Sequence, residues 1–167
     1  FALASEAGGR DVAMGELGAP ILAAEARGPG PSDVETGAAI TLTEAIREVL
    51  RGELRRDESC FVMGEDIGAY GGAFGVTRGL LDEFGDARIR ETPICENSFT
   101  ALGVGAATGG MRPVVELMFG DFVCYAMDAL VNHAAKLRYM YAGGVRVPFT
   151  LRMPVGRRKG YGGTHSQ

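Results

Sequence analysis

The chain has 167 residues, 46 % hydrophobic and 23 % charged, which is enough apolar content for one globular domain of ordinary composition. A net charge of −4 and a pI near 5.2, with Arg157-Arg158-Lys159 as the longest basic run, provide no basic field for nucleic acid or an acidic membrane surface. Cys60, Cys95 and Cys124 are odd in number, widely spaced and without a Cys-x-x-Cys pair, which argues against a disulfide framework or zinc site and for a reducing, intracellular setting.

Residues 1–38 are rich in Ala and Gly and pass through Gly28-Pro29-Gly30-Pro31-Ser32, so they are expected to be an N-terminal extension or linker. Phe1 is not an initiator methionine, which points to a start inside a longer or processed chain. Glu6, Asp11, Glu16, Glu25, Asp33 and Glu35 outweigh Arg10 and Arg27, the reverse of a transit peptide, and no targeting signal is expected. No apolar run approaches the eighteen or so residues of a membrane span.

The domain proper is expected over residues 39–167. Thr41 and Glu44 have capping-box spacing, and Leu42, Ala45, Ile46, Val49, Leu50 and Leu54 follow with helical periodicity. Cys60 to Met63 predicts a short buried strand, and Gly64-Glu65-Asp66 opens a glycine-rich loop through Gly68, Gly71, Gly72 and Gly75. A short helix from Gly79 to Phe84 ends at Gly85, and Arg88 to Thr92 predicts the next strand.

Asn97 to Gly110 reads as a helix rich in small residues. Gly103, Gly105 and Gly109 weaken it, so close packing is the expected reason for them. Pro113 to Leu117 predicts an apolar strand. Asp121 is expected to cap a long helix to about Met140 that buries Phe122, Val123, Ala126, Met127, Leu130, Val131, Ala134 and Leu137. Pro148 to Met153 predicts a last strand, followed by a loop from Gly156 to Thr164.

Short strands alternating with helices imply an α/β fold in three layers, a parallel sheet covered on both faces. The chain stops at Gln167 without a closing helix, so the expected domain is truncated on its C-terminal side.

Standard phosphate motifs are missing from the sequence. No Gly-x-x-x-x-Gly-Lys-Ser/Thr occurs, and Gly103 and Gly105 are followed by Thr108 where a third glycine would be needed. The carboxylate of Glu96 follows a short apolar strand, with Thr92, Pro93, Ile94 and Cys95 offering little charge to pair with it. Two readings stay open. It is either a partly desolvated acid poised to share a proton, or an acidic first-turn residue favoured by the helix dipole. His165 is likewise either a proton-handling imidazole at the ligand-binding edge of the sheet or a loop histidine, while His133 is expected on a helix surface. Glu96, Asp121-Phe122 and His165 each follow a predicted strand, so one sheet edge would gather a carboxyl, an aromatic face and an imidazole.

GEDIGAYGGAFGVTRGL (Gly64–Leu80), RETPICENSF (Arg90–Phe99), MRPVVELMFGDF (Met111–Phe122), VNHAAKLRYM (Val131–Met140) and GTHSQ (Gly163–Gln167) resemble, in order and spacing, the β subunit of the thiamine diphosphate-dependent 2-oxo acid dehydrogenase E1 component. The match covers residues 40 to 167. The resemblance implies a transketolase-type pyrimidine-binding domain and oxidative decarboxylation of a 2-oxo acid with acyl transfer to lipoyl-lysine. Acetoin dehydrogenase, another transketolase-like thiamine enzyme or a non-catalytic scaffold subunit are the alternatives, and the choice among pyruvate, branched-chain 2-oxo acids and acetoin stays open.

By the same resemblance, the glutamate matching Glu96 hydrogen-bonds the ring nitrogen of the cofactor's aminopyrimidine and favours its imino tautomer. The aromatic matching Phe122 packs on the pyrimidine, Ile94 and Met118 match apolar pocket positions, and the histidine matching His165 lies near the reacting centre. Some members hold potassium through main-chain oxygens, one at the position of Phe149. Cys95 replaces the usual serine; a thiol donates a weaker hydrogen bond, but the carboxyl beside it is kept.

Thiamine enzymes generally hold the diphosphate through Mg²⁺ at Gly-Asp-Gly, whereas Gly120-Asp121-Phe122 lacks the second glycine. The implied partners are therefore an E1 α subunit in an α2β2 assembly, which would hold Mg²⁺ and the diphosphate, and the lipoyl-bearing E2 acyltransferase. The segment FALASEAGG is similar to the C-terminal tail of E1 α subunits, so a fused α domain is the alternative to a separate subunit. The implied location is a bacterial cytoplasm, or the mitochondrial matrix in a eukaryote.

Overall fold

A computed structural model describes residues 39–155 and His165. The 1–38 segment and the Gly156 to Thr164 loop, with its Arg157-Arg158-Lys159 run, lie outside the described residues.

Helix α1 (Leu42–Arg56) starts where its capping box predicts: Thr41 accepts from the Glu44 N–H at 3.2 Å, and the Glu44 carboxylate accepts from the Thr41 N–H at 2.7 Å. Strand β1 (Cys60–Gly64) is buried along its whole length. A glycine-rich loop leads to α2 (Leu80–Phe84), which is bounded by Gly79 and Gly85 at positive φ, and β2 (Ile89–Glu91) follows. Helix α3 (Glu96–Thr108) crosses back to β3 (Arg112–Glu116), and β4 (Thr150–Arg152) completes the sheet.

The four strands run parallel in the order β2-β1-β3-β4, with Val62 aligned to both Ile89 and Val114, and Val115 to Leu151. Period-two alternation splits the core in two. Cys60 and Val62 of β1 pack with Leu50, Leu54, Ile67, Val76, Leu80 and Ile89 on one face. Phe61 and Met63 pack with Phe99, Val115, Leu117 and Ala126 on the other. A parallel sheet with apolar residues pointing both ways and helices on each face is the expected three-layer arrangement.

The stretch after β3 departs from expectation. Asp121 does not cap a long helix; it lies inside a 3₁₀ turn, Gly120–Phe122, and neither that turn nor the helix after it has a side-chain cap. Helix α4 (Val123–Met127) then passes through a π-helical segment, Asp128–Ala134, before α5 (Ala135–Met140). A π segment takes more residues per turn than the 3.6 on which the apolar stripe was counted, so the buried face rotates. Val131, expected inside, is 44 % exposed and Ala129 is buried in its stead; Met127, ahead of the π segment, is also 44 % exposed, since Ala126 beside it takes the inward position. His133 is on the surface as expected, 3.5 Å from Asp128.

Among the described residues, no helix is long and apolar enough to cross a membrane.

Candidate active site at the carboxyl edge of the sheet

Because all four strands are parallel, the segments that leave their C-terminal ends gather at one edge, where open α/β sheets bind ligands. Glu65 leaves β1 there, Glu96 enters α3 after β2, and Phe119 and Phe122 follow β3.

Glu96 is the first residue of α3, so the dipole reading of its position holds, and it is half-buried. Before it, the Cys95 thiol lies 3.0 Å from Ser98 Oγ and 3.1 Å from Asn97 Oδ1, which orders the turn without capping the helix. Glu65 is the carboxyl that the fold buries outright. It is only 4 % exposed, and its Oε1 finds no hydrogen-bond partner among the described residues. Burial, then the charge of Glu96, then that of Asp66 push Glu65 up to about 7. Nothing in the local sequence marks Glu65 as special. The available signal was its place directly after a fully apolar strand, Cys60 to Met63, at the ligand edge of the sheet.

A cluster of rings stands at the same edge. His165 lies 4.9 Å from Phe119 and 5.3 Å from Phe122, centroid to centroid, both edge-on at 87° and 79°. Phe119 also meets Phe122 at 5.9 Å and Phe74 of the glycine-rich loop at 6.3 Å. The expected meeting of Phe122 with His165 is therefore present, and Phe119 and Phe74 are additions that the sequence did not single out.

Below the glycine-rich loop, Glu116 at the end of β3 is 3 % exposed and paired with Arg152 of β4. Burial raises the Glu116 carboxyl and Arg152 opposes it. The loop sits tightly on this pair: a Cβ on Gly72 would come 3.3 Å from Glu116 Oε1, and Gly72 has φ +81°, open only to glycine at low cost. The Gly68 N–H donates to the Glu91 carboxylate at 2.9 Å, tying the loop to β2.

A family model described as transketolase, pyrimidine binding domain, matches residues 38–167. The chain belongs to that family. As a pyrimidine-binding domain it is also similar to the rice protein named pyruvate dehydrogenase E1 component subunit beta-1, mitochondrial, at 42 % identity over 95 % of this chain and 42 % of the relative. The Rickettsia bellii pyruvate dehydrogenase E1 component subunit beta is 48 % identical over 77 % of this chain and 39 % of its own length. The Arabidopsis thaliana subunit beta-2, chloroplastic, is 44 % identical over 81 % and 34 %. The chain thus spans about two fifths or less of the length of these relatives.

Within this pyrimidine-binding domain the remaining expected site residues are spread out. Met118, directly before Phe119 in the chain, is half-buried, whereas Ile94 is 81 % exposed. Phe149 is half-buried; its ring would lie 3.0 Å from a Cβ on Gly103, and its N–H donates to the Val147 carbonyl at 2.8 Å.

Proposed function

We propose that this chain contributes the pyrimidine-binding half of the active site of a thiamine diphosphate-dependent 2-oxo acid dehydrogenase E1 component of the pyruvate type, as part of its β subunit. The buried Glu65 carries this reading, because burial and the charge of Glu96 raise its carboxyl at the edge where a parallel sheet receives its ligand. The names of the similar proteins support the same assignment.

The residues present fit the pyrimidine half of the cofactor. Glu96, at a helix start and half-buried, would hold the ring nitrogen of the aminopyrimidine by a hydrogen bond. Glu65, pushed up to about 7 by burial and then by the charge of Glu96, can carry a proton at neutral pH. Phe122 and Met118 offer an apolar wall, and the exposed Ile94 needs a wall from a second chain or domain to close a pocket around it. The chemistry supplied by bound thiamine diphosphate is that of an electron sink for decarboxylation. His165, between two aromatic rings, is the group assigned to proton handling near the reacting centre.

The diphosphate and Mg²⁺ fall to an E1 α subunit or α domain. The nearest thing here to a diphosphate motif, Gly120-Asp121-Phe122, is a 3₁₀ turn that carries part of the ring cluster instead. A lipoyl-bearing acyltransferase would take the acyl group, and main-chain oxygens that include Phe149 would hold potassium. A bacterial cytoplasm or a mitochondrial matrix goes with this reading.

Glu96→Gln in the reconstituted α/β complex tests it. The expected outcome is a loss of turnover of at least about 10²-fold with assembly intact. Unchanged turnover in an intact assembly overturns the reading and leaves a scaffold role.

A further inference from the structure

We propose that Phe119 is the positioning residue for His165, holding its imidazole in one orientation at the carboxyl edge of the sheet. The inference rests on the reading of His165 as a group of the reaction.

Phe119 is anchored more firmly than a loop residue needs to be. Leu117 before it donates its N–H to the Arg152 carbonyl at 2.9 Å, and Gly120 after it donates to the Pro154 carbonyl at 2.9 Å, so both sides of Phe119 are tied to the β4 segment. A Cβ on Gly120 would come 2.6 Å from Val155 Cγ2, so the turn packs closely on the segment after β4 and a side chain there would have to displace that of Val155. The Phe122 N–H closes the turn onto the Phe119 carbonyl at 3.1 Å. The two phenyl rings of this turn are thereby fixed 5.9 Å apart and nearly perpendicular.

The imidazole of His165 completes a triangle with them, at 4.9 Å and 5.3 Å, with all three pairs edge-on. Edge-to-face contact depends on ring angle as well as distance, so two such contacts from different directions restrain rotation of the imidazole about its own bond to the chain. All three rings are only half-buried, and none belongs to the buried core clusters on either sheet face. A ring placed purely to fill the core would be covered. Phe119 also touches Phe74 at 6.3 Å, so the ring that holds His165 is the one that reaches the loop opened by Glu65.

The chain has two histidines, which makes the test direct. In the assembled complex with only this chain carrying labelled histidine, the Cε1–H signals of His165 and His133 are followed by NMR, and kcat and KM are measured in parallel. Phe119→Leu is expected to move and broaden the His165 signal while leaving that of His133 in place. It should lower kcat roughly tenfold, the rate equivalent of one lost ring contact, with KM within about twofold. Phe119→Tyr should restore both signal and rate, and Phe119→Met replaces the leucine variant if that does not assemble. A His165 signal indifferent to loss of the ring overturns the proposal. A signal that moves while neither F119L nor His165→Ala alters turnover overturns it through the reading beneath it, since His165 is then no group of the reaction.

Discussion

Glu65 and Glu96, thirty-one positions apart in the chain, come close enough at the carboxyl edge of the sheet for the charge of one to raise the pKa of the other. Burial is the larger cause and brings Glu65 to about 7 from an ordinary 4.5. Gly64 at the end of β1 is in register with Glu91 at the end of β2, so the turn that leads into Glu96 leaves the same edge at which β1 delivers Glu65.

That pair sets a pH dependence of stability. Glu65 is raised in the folded state, so between about 4.5 and 7 the folded protein binds the extra proton and stability falls as pH rises. The loss should total on the order of 2–3 kcal/mol by pH 8. Urea unfolding at pH 5 and pH 8 should show it in the wild type, and Glu65→Gln should flatten the difference. An equally steep dependence in E65Q would assign the effect to other groups.

The buried ion pair of Glu116 and Arg152 is expected to cost more when broken on one side than when removed whole. Arg152→Met leaves a carboxylate without its cation in the core and should destabilise by about 3–5 kcal/mol at neutral pH, less in acid where Glu116 takes up a proton. Adding Glu116→Gln to R152M should recover part of the loss. A double variant no better than R152M would show that the pair is not what sustains this corner of the sheet.

Two glycines of α3 should respond in opposite directions to the same change. A Cβ on Gly103 would come 2.5 Å from Val115 Cγ2 and 3.0 Å from the Phe149 ring, so Gly103→Ala should cost about 1–3 kcal/mol through overpacking. Nothing lies within 4 Å of a Cβ on Gly105, and Gly105→Ala should gain up to about 1 kcal/mol from helix propensity. Thermal unfolding of both variants checks the contrast. The sequence assigned close packing to the glycines of this helix as a group, and the fold gives that role to Gly103 but not to Gly105.

Features decided within a few residues could be read from the chain alone. The capping box of Thr41 and Glu44, the glycine bounds of α2, the strand-helix alternation and the two-faced apolar pattern of β1 all follow from local sterics and periodicity. The motifs around Glu96, Phe122 and His165 likewise marked the correct family, and the fold brings Phe122 and His165 together. The stretch after β3 could not be read in this way, because a π-helical segment resets the phase on which the inward position of Val131 was counted.

The tertiary structure alone decided which carboxyl is buried and which rings flank the imidazole. Desolvation and charge coupling depend on what surrounds a group in space. Glu65 looked like a loop acid until β1 carried it under cover and α3 brought Glu96 beside it. Phe119 looked like one more apolar residue until main-chain hydrogen bonds to the β4 segment fixed it against His165. The sequence by itself determined the layers and the family, because those rest on pattern; which side chains meet at the carboxyl edge of the sheet rests on distances that only the folded chain creates.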